Sequence, residues 1–518
     1  MMNEELLIVQ VEPPQKEDAG DYYYRTLAPG AAMAEEDGVY VVNFTNIHRL
    51  KDMIMETADV LVLKNICDPD LLPLMRQRKE EGKLTVYELA DDIRAVPPWN
   101  PVHFVYKDPQ IISLFLRLAS YSDGMQFSVD ELQRLYGYLN PNWAVFPNQI
   151  SVIPPKGEFE SRPGLVVGWG GSHGHLEDMA EIAGPLIDWI LSTDDVRLYL
   201  MCSEPVWDLF YRLPQDRKKR FRTGSVDDYY SFLQELDVGL APLRNTAFNR
   251  SRSDIKFLEY AIHGVTPVLQ DLEPYRFVRN GDTGFLFKDP PGMMRILETL
   301  KDDIEVRKRV SQSAWEYVLK ARLQRDHAGE RLEFYRSRIG TLQGKRKEQH
   351  DKLLFFQDLC NIEGAVQNGR HLRLMPTEFE DLLYDGMVIS QEGKDPLVPR
   401  TLFKKASQLE ANNYLPYLFG APCSEDPVAS LERAVKCNCR SLKSWILMGE
   451  YHAQKKQITE AFRCFDKAAA IFPEYELSYL RVAALLSVIG LRREADQLYQ
   501  KAQTLESACR NPGGEPTS

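Results

Sequence analysis

Five apolar runs fall within the first 150 residues: LLIVQV, GVYVVNF, ADVLVLKN, LTVYELAD and WAVFPN. None alternates apolar with polar residues. A strand with one wet face must alternate, so these runs predict strands buried on both faces. Segments between them, such as DPDLLPLMRQRKEEG, carry helical spacing. Alternating strands and helices, with both strand faces covered, leave room for little but a parallel sheet between helical layers.

The pattern stops at a seam rich in Pro, Gly and charge, PNQISVIPPKGEFESRPG, and then restarts. GLVVGWGG, VRLYLMCS, LDVGLAPL, VTPVLQD and TGFLF follow, separated by helices, and a long helical stretch ends near residue 340. Two αβ domains in series are predicted, at 1–160 and 161–340. Beyond 340 the β-rich runs largely vanish, and 341–394 reads as a polar helical linker. Ala461 and Ala495 stand 34 residues apart, as do Phe465 and Tyr499. That period, with Trp445, Met448, Gly449 and Ala468 in register, is the tetratricopeptide (TPR) pattern of paired helices. TPR-like repeats are expected over 395–507 and a disordered tail over 508–518.

The net charge of −12 argues against nucleic acid or an anionic membrane as the main partner. Of the eight cysteines, Cys437 and Cys439 form a lone CxC without a partner pair for zinc. The opening MMNEELLIVQVEPP does not read as a signal peptide, and no run approaches the roughly 20 apolar residues of a membrane span. A soluble cytoplasmic protein is expected.

Two stretches carry the chemistry. In RSDIKFLEYAIHGVTPVLQD, Ser253 or Asp254 can cap a short helix. Arg252 and Lys256 then crowd its N-terminus, where the macrodipole disfavours cations. A bound anion would reverse that sign and make a phosphate site; otherwise both side chains reach solvent or nearby acids. Glu259 interrupts the apolar run. It either faces a cleft, where a carboxylate can accept from two sugar hydroxyls, or lies on an ordinary amphipathic surface. The second stretch is GWGGSHGHLEDM, in which Gly170, Gly171 and Gly174 follow a strand and precede a helix. Such a turn lets backbone approach a phosphate, or is simply tight. His173 and His175 would lie beside it, where an imidazole can donate; no carboxylate or cysteine set at useful spacing makes them metal ligands.

GWGGSHGHLEDM, LDVGLAPLRNTAFNRSRSDIKFLEYAIHGVTPVLQ and NGDTGFLF together resemble the donor-binding domain of GT-B glycosyltransferases. They are most similar to the retaining family-4, or group 1, type found in bacterial surface-polysaccharide and protein glycosylation. The resemblance spans roughly residues 5–340. It implies two Rossmann-like domains facing a cleft, the first on the acceptor side, with a UDP- or GDP-linked nucleotide-diphosphate sugar held mainly by the second. It places Glu259 at the last Glu of the family's E-x7-E motif, on the ribose. Arg252 and Lys256 then face the diphosphate, Gly170, Gly171 and Ser172 form the loop by the phosphates, and His175 touches the diphosphate or donor sugar. The first Glu of the motif would fall at Ser251 and is absent; Asn249 or Asp254 is a candidate substitute.

These readings imply a glycosyltransferase, with retention and without a metal or other cofactor, whose repeats recruit a protein acceptor or partner. A glycan or lipid-linked acceptor, as in polysaccharide biosynthesis, is the alternative, and a catalytically inactive scaffold is a third reading. Asp91, Asp92 and Arg94 could face the acceptor. Self-association through the repeats is left open.

Overall fold

The computed structural model describes residues 5–15, 20–100, 102–154, 164–342, 351–393 and 395–510. In the first lobe β1 (Leu6–Glu12), β2 (Val39–Thr45), β3 (Val60–Lys64), β4 (Leu84–Leu89), β5 (Gly124–Phe127) and β6 (Trp143–Val145) run parallel in the order β2-β1-β3-β4-β5-β6. Every residue of β1 to β4 is buried, which is why these runs need no alternation. Each fully buried Val, Leu or Ile contributes about 1.5–3 kcal/mol.

The second lobe holds β7 (Leu165–Gly170), β8 (Val196–Met201), β9 (Lys218–Phe221), β10 (Val238–Ala241), β11 (Thr266–Gln270) and β12 (Phe285–Phe287). Their order is β12-β11-β10-β7-β8-β9, all parallel. This is the doubly wound order, with a reversal between β7 and β10. The chain crosses between lobes twice, and the crossings are pinned together: Ile150 N donates to Arg322 O and Gln324 N to Ile150 O, at 2.9 and 2.8 Å. Helix Gln324–Ile339 then returns to the first lobe, where Ala328, Leu332 and Tyr335 pack on Leu6, Ile8 and Val60. Two doubly wound lobes facing one another are the layout that the GT-B resemblance implies.

Residues 341–394, expected as a helical linker, also carry strands. After helix Lys352–Cys360, β13 (Ala365–Asn368) and β14 (His371–Leu374) form a hairpin turned at Gly369, with φ of 59°. β14 pairs with β2 and extends the first sheet to eight strands. The repeats also begin before 395, with helix Glu378–Gln391 packed on Leu397–Leu409. A Cβ on Gly386 would meet the Phe403 ring at 2.8 Å, and one on Gly449 the Phe465 ring at 2.6 Å. The same glycine-against-phenylalanine contact thus closes both helix pairs. Further pairs are Leu415–Gly420 with Pro427–Cys437, Leu442–Gln454 with Ile458–Ile471, and Glu476–Val488 with Arg492–Arg510. The last helix runs through Ala508–Arg510, inside the expected tail; 511–518 lie outside the described residues.

The array does not hang free. Leu442, Ile446, Phe465, Phe472 and Tyr475 share one apolar cluster with Leu72, Phe115 and Leu118 of the first lobe. Arg117 and Glu476 pair across this junction at 2.8 Å, both nearly buried.

Candidate active cleft

In a doubly wound sheet the loops at the carboxyl ends of the strands diverge where the strand order reverses, leaving a crevice. In the second lobe that crevice lies between the loops after β7 and β10. Asp178 ties the two loops together. It accepts from His175 Nδ1 at 2.9 Å on the first loop, and from Arg244 N and Asn249 Nδ2, each at 2.8 Å, on the second.

The glycines of the first loop serve packing. A Cβ on Gly170 would meet the Tyr229 ring at 2.6 Å, and one on Gly171 the Trp169 ring at 2.6 Å. On the side where a Cβ would stand, both glycines are covered by aromatic rings. Ser172 is exposed and leads into the turn His173–His175. The first lobe reaches this loop directly, because Trp99 Nε1 donates to Gly174 O at 3.2 Å. His175 is buried edge-on against Trp169. Burial, and then the charge of Arg252, push it down to about 4, so the ring is neutral at pH 7. Asp178 can only accept, so Nδ1 carries the proton and Nε2 is left as an acceptor. His175 therefore suits a sugar hydroxyl rather than donation to a diphosphate.

Helix Ile255–Ile262 starts at Asp254, but no side chain caps it. The Asp254 carboxylate is taken by Arg322, at 2.5 and 3.2 Å, and Arg322 also donates to Gln149 Oε1 and Asn148 O. Ser253 Oγ accepts from Asn148 Nδ2 at 3.0 Å. Neither proposed cap acts as one; both residues fasten the helix start to the interlobe crossing instead. Lys256 does not face open space. Its ammonium donates to Tyr229 Oη at 2.8 Å and pairs with Glu259 Oε2 at 3.2 Å. Glu259 in turn is buried, at 4% exposure, where an open face was expected. Its other oxygen accepts from Tyr24 Oη of the first lobe at 3.0 Å.

Ser251 is buried with its hydroxyl bonded to Phe248 O. Of the candidate substitutes for the missing Glu, Asp254 is taken by Arg322, and Asn249 commits its Nδ2 to Asp178 and to Arg244 O.

Arg252 differs from its neighbours. It is half-buried, 5.3 Å from the centre of the Phe248 ring, and among the described residues its guanidinium has neither hydrogen bond nor ion pair. It lines an interlobe cavity of about 450 Å³ with Ser128, Arg250 and Arg276. Its charge acts on both His175 and Asp91 of the first lobe. Burial pushes the Asp91 carboxyl above the ordinary range and Arg252 draws it back. Asp92 and Arg94 are committed elsewhere: Asp92 accepts from Tyr136 Oη, and Arg94 Nε donates to the same hydroxyl. Behind Asp91, Lys64 bridges Glu12 and Asp21 at 2.8 and 2.6 Å at the carboxyl edge of the first sheet.

Of the residues singled out in the sequence, Arg252 lines the interlobe cavity and its charge reaches His175; His175 follows Gly170, Gly171 and Ser172 on the loop after β7, and Lys256 and Glu259 are paired with each other. Sequence reasoning missed Asp178, Tyr24 and Arg322. An Asp in the first turn of a helix after a glycine loop was a signal for the first; nothing local marks the other two. Among the described residues no three His, Cys, Asp or Glu side chains converge as a metal-ligand group, and no helix is long and apolar enough to cross a membrane.

No protein-family model and no curated protein matches the chain. Solved structures similar to it include Anabaena HepE in complex with UDP and glucose, at 14% identity over 64% of this chain and 100% of that one, with a TM-score of 0.49. Sucrose-phosphate synthase from Thermosynechococcus elongatus is 11% identical over 65% of this chain and 100% of its own, with a TM-score of 0.47. MamA is 21% identical over 25% of this chain and 78% of that one, with a TM-score of 0.24.

Proposed function

We propose that the protein is a glycosyltransferase, taking a sugar from a UDP- or GDP-linked donor in the interlobe cleft and passing it to an acceptor on the first-lobe side. The observation that carries this is the Arg252 guanidinium, which has no hydrogen bond or ion pair among the described residues and whose charge reaches both His175 and Asp91. A half-buried cation held over a ring, with no anion paired to it among the described residues, suits a ligand anion. As the bond from the anomeric carbon to the diphosphate breaks, negative charge grows on the leaving oxygen, and a preplaced guanidinium stabilises it without reorganisation. His175 Nε2 accepts from a donor-sugar hydroxyl. Retention belongs to the same reading and rests on the sequence resemblance alone; reaction without a metal rests on Arg252, Lys256 and the helix start supplying the positive charge, in a sequence without a credible DxD motif.

The repeats, in this reading, recruit a protein acceptor or partner. The support is their attachment to the first lobe and the apolar Val488, Ile489 and Leu491 exposed near the array's last turn. A glycan or lipid-linked acceptor remains the alternative.

One observation favours a second reading, an inactive scaffold. Both Glu259 oxygens are engaged by the protein, and Ser251 stands where the family's first Glu would be. Calorimetry with UDP and GDP, and donor turnover with a panel of their sugars, decides between them. The enzyme reading expects binding, and a loss of about 100-fold or more in turnover for Arg252→Ala. Turnover by Arg252→Ala at the wild-type rate removes that reading of Arg252; absence of binding to either nucleotide favours the scaffold.

A further inference from the structure

One dipeptide of the first lobe is built into the second. Tyr24 and Arg25 lie in the wide helical turn Tyr23–Leu27, a local geometry that recurs at functional sites. Tyr24 is 4% exposed and belongs to the same apolar cluster as Tyr230, Leu258 and Ala261 of the second lobe. Its hydroxyl lies 3.0 Å from Glu259 Oε1 and 2.8 Å from Tyr230 Oη. A carboxylate only accepts, so Tyr24 spends its single proton on Glu259, and Tyr230 donates to Tyr24. Arg25 Nη1 donates to Phe146 O and Asn148 Oδ1, and Asn148 passes the contact to Ser253 Oγ. Two adjacent residues therefore hold both ends of the segment 253–259 from across the cleft.

We propose that the Tyr24 hydroxyl occupies the place on Glu259 that a ribose hydroxyl of the nucleotide takes, so that Tyr24 sets nucleotide affinity by competing for that carboxylate. The proposal rests on the reading of the cleft as a nucleotide-sugar site, with the ribose on Glu259 as the sequence resemblance implies, and adds the competitor. Both groups are neutral hydroxyls donating to the same oxygen. In the free chain Tyr24 keeps Glu259 satisfied inside an apolar cluster, where an unpaired carboxylate oxygen is unfavourable. On binding, the ribose hydroxyl replaces it, and Tyr24 gives up the bond. The net affinity is what remains after that exchange.

Removing the hydroxyl while keeping the ring separates the two states. Tyr24→Phe leaves Glu259 Oε1 without its donor in the free protein and changes nothing on the ribose side. A hydrogen bond to a charged group is worth enough to shift binding about tenfold. UDP and GDP are titrated into the full-length wild type, Tyr24→Phe and Tyr230→Phe. The expected result is about tenfold tighter binding of the preferred nucleotide by Tyr24→Phe. Tyr230→Phe is the control, since it leaves the Tyr24–Glu259 bond in place, and it is expected to stay within about twofold of wild type. Tyr24→Met, which fills similar volume without a hydroxyl, is the second variant. For both, the nucleotide-induced rise in Tm is read against each variant's own ligand-free Tm, so that a less stable fold does not hide the effect. Wild-type binding with equal or weaker binding by both Tyr24 variants overturns the proposal and leaves the nucleotide site standing. No binding of either nucleotide by any of the proteins overturns the site, and the proposal with it.

Discussion

The junction between the repeats and the first lobe can be broken at one ion pair. Arg117 donates to Glu476 Oε2 through Nη2 and Nε at 2.8 and 3.2 Å, and to Leu505 O at 2.7 Å. Glu476 Oε1 accepts from Ser113 Oγ at 2.9 Å. The side chains are 7% and 6% exposed. Arg117→Met leaves a buried carboxylate with one hydroxyl for company; Glu476→Leu leaves a buried guanidinium with one carbonyl. Breaking a buried pair from one side costs about 3–5 kcal/mol, whereas removing both charges in favour of apolar side chains is often neutral. Arg117→Met with Glu476→Leu should therefore be more stable than either single variant, with a coupling energy of about 3 kcal/mol or more. Urea unfolding at neutral pH, followed by circular dichroism, measures all four corners of the cycle. Each single variant should bring the shared transition of first lobe and repeats to lower urea, with little dependence on salt because the pair is buried. Singles that each cost under about 1 kcal/mol and simply add, or repeats that melt in a separate transition, would refute the account of the array as part of the first lobe's core.

Two further outcomes follow from other parts of the molecule. Val488→Asp with Leu491→Asp, on the exposed end of the array, should depress transfer to a protein acceptor while sparing donor hydrolysis, and unchanged transfer would sink recruitment through that end. His371 is buried, donates from Nε2 to Asn43 Oδ1, and is held by burial down to about 4 against an ordinary 6.5. The unfolded chain takes up that proton first, so stability falls with pH through the window from 6.5 down to 4. His371→Gln should then lose less stability than wild type between pH 7 and 5, by about 2 kcal/mol, and a constant difference in urea midpoints across that range would contradict the burial argument.

β1 to β4, β7, β10 and β11 were legible because they are buried on both faces and write apolar runs; β6, read from WAVFPN as buried on both faces, is instead an edge strand with Trp143 exposed. The two missed inside the lobes write none. β9 is KKRF at a sheet edge, where Lys219 and Arg220 stay in solvent. β5 is GMQF, too short for a pattern, with Gln126 tied to Tyr335 Oη. The hairpin of β13 and β14 did carry a signal, the Asn368-Gly369 turn, overshadowed by polar surroundings. At the cleft the sequence located the two loops that matter, because a glycine turn after a strand and a cationic helix start are local features. It misread what fills them. Whether a glycine admits a phosphate or a ring depends on Tyr229 and Trp169. Whether Glu259 is open depends on Tyr24, 235 residues away in sequence. Such partners are set by how the lobes meet, and no local pattern encodes that.

The placement of the repeats bears on the acceptor. Asp70 lies in the segment after β3, and its carboxylate accepts from Ser441 Oγ at 2.8 Å and Lys443 N at 2.9 Å. A first-lobe carboxyl group thus caps the N-terminus of repeat helix Leu442–Gln454; burial, and then the charge of Asp68, push it up to about 7. Arg49, in the segment after β2, donates its backbone N–H to Glu380 Oε1 of the first repeat helix at 2.8 Å. Both segments leave the carboxyl edge of the first sheet. That edge also carries Glu12, Lys64 and, after β4, Asp91, the carboxyl that feels Arg252 across the cleft. The array is therefore anchored to the edge from which an acceptor would meet the donor. On the proposed function, a protein held on it would be tethered to the lobe that receives the sugar rather than to the lobe that holds the donor.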